Sequence, residues 1–198
     1  GETIFSISVN LIISFFVGLF AHLYYKMHES NELLKEISTI DKLTGCYNRR
    51  AYDDKIEELK KDTLDNDFLC VTIDVNGLKQ VNDTLGHAAG DEIIAGVAFC
   101  LRNSLADCAE FYRIGGDEFA VFAWMDEDEI EERKIAFNDC IKNWEGKIVD
   151  EFTVSTGYAT RIEFPDKSIT ELIRISDKRM YENKKKFYED KNKDRRVL

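Results

Sequence analysis

Positive charge is scarce in this 198-residue sequence: 27 Lys and Arg stand against 38 Asp and Glu, a formal net charge of −11. Such an acidic surface argues against sequence-blind nucleic-acid binding, which rests on cationic patches. It does not exclude a nucleoside triphosphate, because metal ions neutralise phosphates locally. Histidine is also scarce, and none of the five cysteines (Cys46, Cys70, Cys100, Cys108, Cys140) forms a Cys-x-x-Cys pair. That argues against a structural zinc site. The cysteine count is odd and Cys70 and Cys100 sit in apolar runs, so buried free thiols in a reducing compartment are expected. There is one proline, Pro165, and no internal repeat or low-complexity segment. The length suits one globular domain with something attached. A hydrophobic content of 44% supplies a core.

Charge is missing altogether from residues 3–25, where Ile, Leu, Phe and Val dominate. About 20 such residues span a bilayer core, so the reading here is a single transmembrane helix. Tyr24 and Tyr25 suit an interfacial belt, and Lys26 favours a cytoplasmic C-terminal side. The expected location is the cell inner membrane, single-pass, with the catalytic domain in the cytoplasm. A signal peptide fits less well, since the run is long and no basic residue precedes it. Residues 26–40 read as a helical stalk, with Met27, Ser30, Leu34 and Ile37 at helical spacing. Residues 41–198 then form one domain.

The pattern within that domain predicts helices over 48–61, 91–105, 128–144 and 169–187. It predicts strands over 67–74, 110–114, 118–124 and 152–160, with a hairpin at Gly115-Gly116. This order implies an α/β (α+β) sandwich, with helices against a central, mainly antiparallel sheet.

Two acidic spots fall at strand ends: Asp74 closes the first strand, and Asp117 and Glu118 follow the glycine pair. If the hairpin lies beside that strand, the carboxylates converge. Converging hard oxygens suit Mg²⁺ (or Mn²⁺). Two such ions per site activate a hydroxyl and stabilise a leaving phosphate. Each spot alone would read as solvated turn acid. Neighbouring strand residues face opposite ways, so Asp117 and Glu118 share a metal only if the turn breaks that alternation. The loop Asn76-Gly77-Leu78-Lys79 lacks P-loop spacing, yet its backbone N–H groups and Lys79 suit phosphate. Asn82 and Asp91 together offer the donors and acceptors that match a guanine edge. Asp91 reads equally well as an acid at a helix N-terminus.

The run Arg113-Ile114-Gly115-Gly116-Asp117-Glu118-Phe119 resembles the signature of the GGDEF family of diguanylate cyclases. The resemblance extends from Asp41 to about Lys186. Asp41 to Arg50 resembles the opening motif, and Asp74 to Lys79 with Val81-Asn82-Asp83, Gly86-His87 and Gly90-Asp91 resembles the nucleotide loop. Ser176-Asp177, Met180-Tyr181 and Lys184 resemble the closing helix. The resemblance implies a palm-like nucleotide-cyclase fold. It implies metal held by Asp74, the Val75 carbonyl and Asp117 with Glu118 assisting, and Asp117 accepting the proton of a 3′-hydroxyl. Asn82 and Asp91 would read guanine, His87 would position substrate, and Lys79 and Lys184 would touch phosphate. It further implies a homodimer that condenses two GTP into cyclic di-GMP and two pyrophosphates. The alternative is a catalytically silent domain that binds GTP or a protein partner. Against that alternative, Asp74, Asp117 and Glu118 are all retained.

Two departures stand out. The family's Gly-Arg after the closing lysine is missing, and Lys185 or Lys186 is expected to substitute. The Arg-x-x-Asp pair that binds product in many relatives is replaced by Ala106 and Ala109.

Overall fold

The computed structural model describes residues 13–28, 39–61, 63–105 and 108–194. The chain divides into two units, 1–38 and 39–198. In the first, residues 13–28 form helix α1. Among the described residues no helix is long and apolar enough to cross a membrane. The spanning helix expected over 3–25 is therefore not supported, and residues 3–12 lie outside the described ones. So do 29–38, most of the expected stalk. At its end, Ile40 is not helical but bridges to Tyr47.

The second unit runs β1 (Tyr47–Asn48), α2 (Arg49–Leu59), β2 (Phe68–Val75), α3 (Leu78–Leu85), α4 (His87–Leu105), β3 (Ala109–Arg113), β4 (Glu118–Trp124), α5 (Glu127–Lys142), β5 (Val154–Thr160) and α6 (Ile169–Asp194). The five strands form one sheet in the order β1-β3-β4-β2-β5. Only the short β1–β3 pair is parallel. The mainly antiparallel sheet flanked by helices is thus as expected.

β2 lies inside the sheet and every one of its residues is buried, as a strand covered on both faces must be. Its alternation sorts the core. Leu69, Val71, Ile73 and Val75 join Phe119 and Val121 of β4 against α4 and α5. Phe68 and Cys70 join Ala120 and Phe122 against Tyr52 of α2 and Ile169 and Leu172 of α6. Asn48 caps α2 by accepting from the Ala51 N–H at 3.1 Å, and Asp126 caps α5 from Glu129 N–H at 2.9 Å.

Cysteine corrects one expectation. Cys100 of α4 and Cys140 of α5 form a disulfide, with Cα atoms 5.5 Å apart. The two helices pack side by side, but the partners are 40 residues apart in sequence, which hid the pair. Cys46 and Cys70 are buried thiols as expected.

Candidate active site

The parity of β2 turns Thr72 and Asp74 toward α6. A row of residues four apart on α6 (Ser176, Met180, Lys184, Tyr188) faces them, because positions i and i+4 share a helix face. The row can lie this close because Gly157 of β5 has no side chain. A Cβ there would stand 2.0 Å from the Ser176 carbonyl oxygen and 2.3 Å from the Met180 nitrogen. Thr72 Oγ1 then lies 2.8 Å from Ser176 Oγ. Two turns on, Lys184 Nζ reaches both oxygens of Asp74, at 2.6 Å and 2.8 Å.

Asp74 is 5% exposed. Burial pushes its carboxyl up, Asp117 adds to the rise, and Lys184 only partly offsets them, so the group stays above the ordinary aspartate range. Burial works to depress Lys184, but the carboxylates of Asp74 and Asp117 outweigh it and hold the ammonium above its ordinary value.

Asp117 lies in the turn before β4, and its carbonyl accepts the Val75 N–H at 3.0 Å. Its charge acts on both Asp74 and Lys184. The turn sets the Asp117 backbone against Val75, one residue beyond Asp74. Glu118 is the cross-strand partner of Asp74. Its exposed side chain folds back over Gly115, where a Cβ would meet its Oε2 at 2.7 Å. Asp74, the Asp117 turn and Glu118 thus lie together at one end of the β2–β4 pair.

The hairpin is braced by residues given no such role from sequence. Arg113 donates to the Gly116 carbonyl at 2.9 Å and to both Asp41 oxygens at 3.2 and 3.3 Å. Asp41 also accepts from Thr44 N–H at 2.9 Å and Thr44 Oγ1 at 2.6 Å. The available signal was Asp41-Lys42-Leu43-Thr44 itself, an acid that hydrogen-bonds a few residues on and folds its own turn.

Beyond β2, the Asn76 amide is used inside the fold, donating to Thr153 Oγ1 at 3.2 Å and accepting from Ser155 Oγ at 2.8 Å. Where a loop was expected, α3 follows; Leu78 and Val81 pack one side of it on the core. Asn82 of α3 meets the start of α4. Its Oδ1 is buried without a hydrogen-bond partner, and a Cβ on Gly90 would stand 2.0 Å away. The amide lies against Gly90, next to exposed Asp91. α4 begins at His87, not at Asp91, and has no acid in its first turn. The helix-end reading of Asp91 loses its basis, since that effect fades within one turn. His87, the first residue of α4, is exposed.

Lys79, exposed in the first turn of α3, lines a cleft of about 960 Å³ together with Gly77, Phe187, Tyr188 and Lys191. The Gly77 N–H donates to the Tyr188 hydroxyl at 3.1 Å. Lys185 is exposed and lies 3.8 Å from Glu189, Lys186 is exposed, and Tyr188 is the residue that reaches the loop.

Among the described residues no cluster of three or more His, Cys, Asp and Glu forms a ready-made metal cage. What is present is a buried carboxylate, Asp74, with an ammonium seated on it and the Asp117 turn beside it. That arrangement fits a magnesium-type cation, which takes one or two carboxylates and completes its shell from water and substrate phosphate.

Residues 38–189 match the family described as diguanylate cyclase, GGDEF domain. The chain belongs to that family. It is 30% identical over 158 residues to diguanylate cyclase DgcZ of Escherichia coli strain K12, covering 77% of this chain and 52% of that protein. The chain therefore spans about half the length of this curated relative. Among solved structures it resembles diguanylate cyclase SiaD of Pseudomonas aeruginosa, crystallised with its activator SiaC. The TM-score is 0.65 at 25% identity, over 86% of this chain and 67% of that one. It also resembles the GGDEF domain of DgcB from Caulobacter crescentus in complex with c-di-GMP, with TM-score 0.60 at 26% identity over 74% and 88% of the two chains.

Proposed function

We propose that this GGDEF chain is an active diguanylate cyclase. The observation that carries the reading is the meeting of buried Asp74 and the Asp117 turn at the end of β2, with a cation already on Asp74. Each copy binds one GTP. Asn82 and Asp91 meet the guanine edge, Asp91 accepting from its N–H groups. His87 helps to position the substrate. Lys79 holds phosphate beside the α3 backbone, whose first N–H groups have no partner within the helix. Two copies face one another, so that the 3′-hydroxyl of one GTP lies at the α-phosphate of the other. Asp117 takes the hydroxyl proton as the 3′-oxygen bonds to the α-phosphorus, and the bond to the β-phosphate bridging oxygen breaks, releasing pyrophosphate. Repetition on the second GTP closes cyclic di-GMP.

Magnesium or manganese, two ions per site held by Asp74, Asp117 and the Val75 carbonyl with Glu118 beside them, would neutralise phosphate charge and make the 3′-hydroxyl more acidic. Lys184 is then free to leave Asp74 for a phosphate. The catalytic unit works on the cytoplasmic side, where GTP is.

The test is incubation of the full chain with GTP and Mg²⁺, followed by mass analysis. Cyclic di-GMP and pyrophosphate are expected, and Asp117→Asn should lose nearly all turnover with an unchanged melting temperature. Removing a charge poised at the reacting centre costs about 2.7–4 kcal/mol of barrier or more. GTP binding without product would support the silent-domain alternative, and Asp117→Asn with near-normal turnover would remove the assignment.

A further inference from the structure

The cyclase reading places this domain in the cytoplasm, where a lasting disulfide is out of place. Disulfides in such reducing compartments are mostly transient, and serve catalysis or redox sensing. Cys100 of α4 and Cys140 of α5 nevertheless form one, with Cα atoms 5.5 Å apart. The helices do not depend on the bond to stay together. Val97 and Leu101 of α4 and Phe137 and Ile141 of α5 belong to the same buried cluster, so the two sulfurs remain neighbours when the bond is open. Their access differs. Cys100 is 0% exposed. Cys140 is half-buried and lies on the wall of a cleft of about 970 Å³ that Phe99, Arg102 and Trp144 also line. The bond closes a loop that holds β3, the hairpin with Asp117 and Glu118, and β4. It fastens that loop to the helix that carries Gly90 and Asp91.

We propose that Cys100 and Cys140 form a reversible redox-modification site, in which Cys140 exchanges with small-molecule disulfides and thiols and Cys100 resolves the adduct. In oxidation, Cys140 as thiolate attacks one sulfur of a reagent such as glutathione disulfide. The reagent S–S bond breaks, one glutathione leaves and takes a proton, and a mixed disulfide stands on Cys140. Cys100 gives up its proton and attacks the Cys140 sulfur, and the second glutathione leaves. Two protein thiols lose two electrons, and one reagent disulfide becomes two thiols. Reduction runs back through the same mixed disulfide. Closing the loop restricts the unfolded chain, so the oxidised form resists unfolding more than the reduced form. From the cyclase reading this takes only the compartment.

The experiment equilibrates the full chain in glutathione buffers from fully reduced to fully oxidised. Thiols are then blocked with iodoacetamide in denaturant and located by peptide mass. Cys100 and Cys140 should pass together from alkylated to joined across the series. The melting temperature of the oxidised sample should lie about 5–15 °C above that of the reduced one. After brief exposure to glutathione disulfide, Cys100→Ala should carry the adduct on Cys140, and Cys140→Ala should leave Cys100 unmodified. A wild-type pair that stays joined in reduced glutathione is a permanent bond, and one that never joins in oxidised glutathione is no redox site; either result overturns the proposal. An adduct on Cys100 in Cys140→Ala overturns the assignment of Cys140 as the exchanging sulfur, and equal melting temperatures overturn the stabilisation. The wild-type series decides reversibility even if a variant fails to fold. Absence of cyclic di-GMP synthesis would sink the cyclase reading and leave the glutathione series unchanged.

Discussion

Gly90 shows how little separates packing from recognition at a single residue. A Cβ at this position would stand 2.0 Å from Asn82 Oδ1 and 2.9 Å from its Cγ. These are the far atoms of a side chain, so Asn82 can yield without moving backbone. Gly90→Ala should therefore leave stability unchanged or raise it, by up to about 1 kcal/mol from helix propensity. The same change displaces the amide from its place beside Asp91, and GTP affinity should fall about tenfold, the order of one buried hydrogen-bonded contact. Thermal melting and GTP titration of this variant should thus move independently. A lowered melting temperature with unchanged GTP affinity would make Asn82 a packing residue. Asn82 and Asp91 could be singled out from sequence because amide and carboxylate types match a base edge. Tyr188 could not, because its contact partner is 111 residues away and a tyrosine on an amphipathic helix carries no mark of its neighbour.

At the scale of elements, the turn at Asp41 does more than open the domain, since it ties β3 and the hairpin to the start of that domain through Arg113. Burial alone would raise the Asp41 carboxyl. Hydrogen bonds from Thr44 and the Arg113 guanidinium outweigh it, so the folded value lies below the ordinary 3.8. A depressed folded value means that the stabilisation is complete above 3.8 and is lost as pH falls through the folded value. Asp41→Asn should lower stability at neutral pH by about 1–3 kcal/mol. Its melting temperature should then fall less steeply than that of the wild type on acidification below pH 4. Melting curves from pH 2 to 7 on both proteins check this; parallel curves would mean that Asp41 does not govern the acid limb. The long strands β2 and β4 were legible as short apolar runs with polar flanks, and β5 by its alternation. α3 was not, because Gly77 and Gly86 bracket eight residues that read as loop, although Leu78 and Val81 already had helical spacing. β1 was not, because two residues carry no period. The sheet order was not, because nothing local in a strand names its neighbour.

The whole molecule carries a formal charge of −11, and the proposed reaction needs two copies face to face. Each copy brings one GTP, itself an anion, so encounter is opposed by like charge until cations screen it. At physiological ionic strength the screening length is about 8 Å, short enough that distant surface charges no longer repel. Chemistry confined to a dimer follows mass action. At low protein concentration the rate should therefore grow as roughly the square of enzyme concentration, and linearly once dimers saturate. Raising monovalent salt from a few millimolar toward 0.15 M should move that crossover to lower protein concentration. The measurement is initial rate of cyclic di-GMP formation against enzyme concentration at two salt levels, with sedimentation of the same samples. A constant rate per protein molecule in samples that sediment as monomer would show that one chain completes the reaction alone, and the face-to-face arrangement would have to be given up.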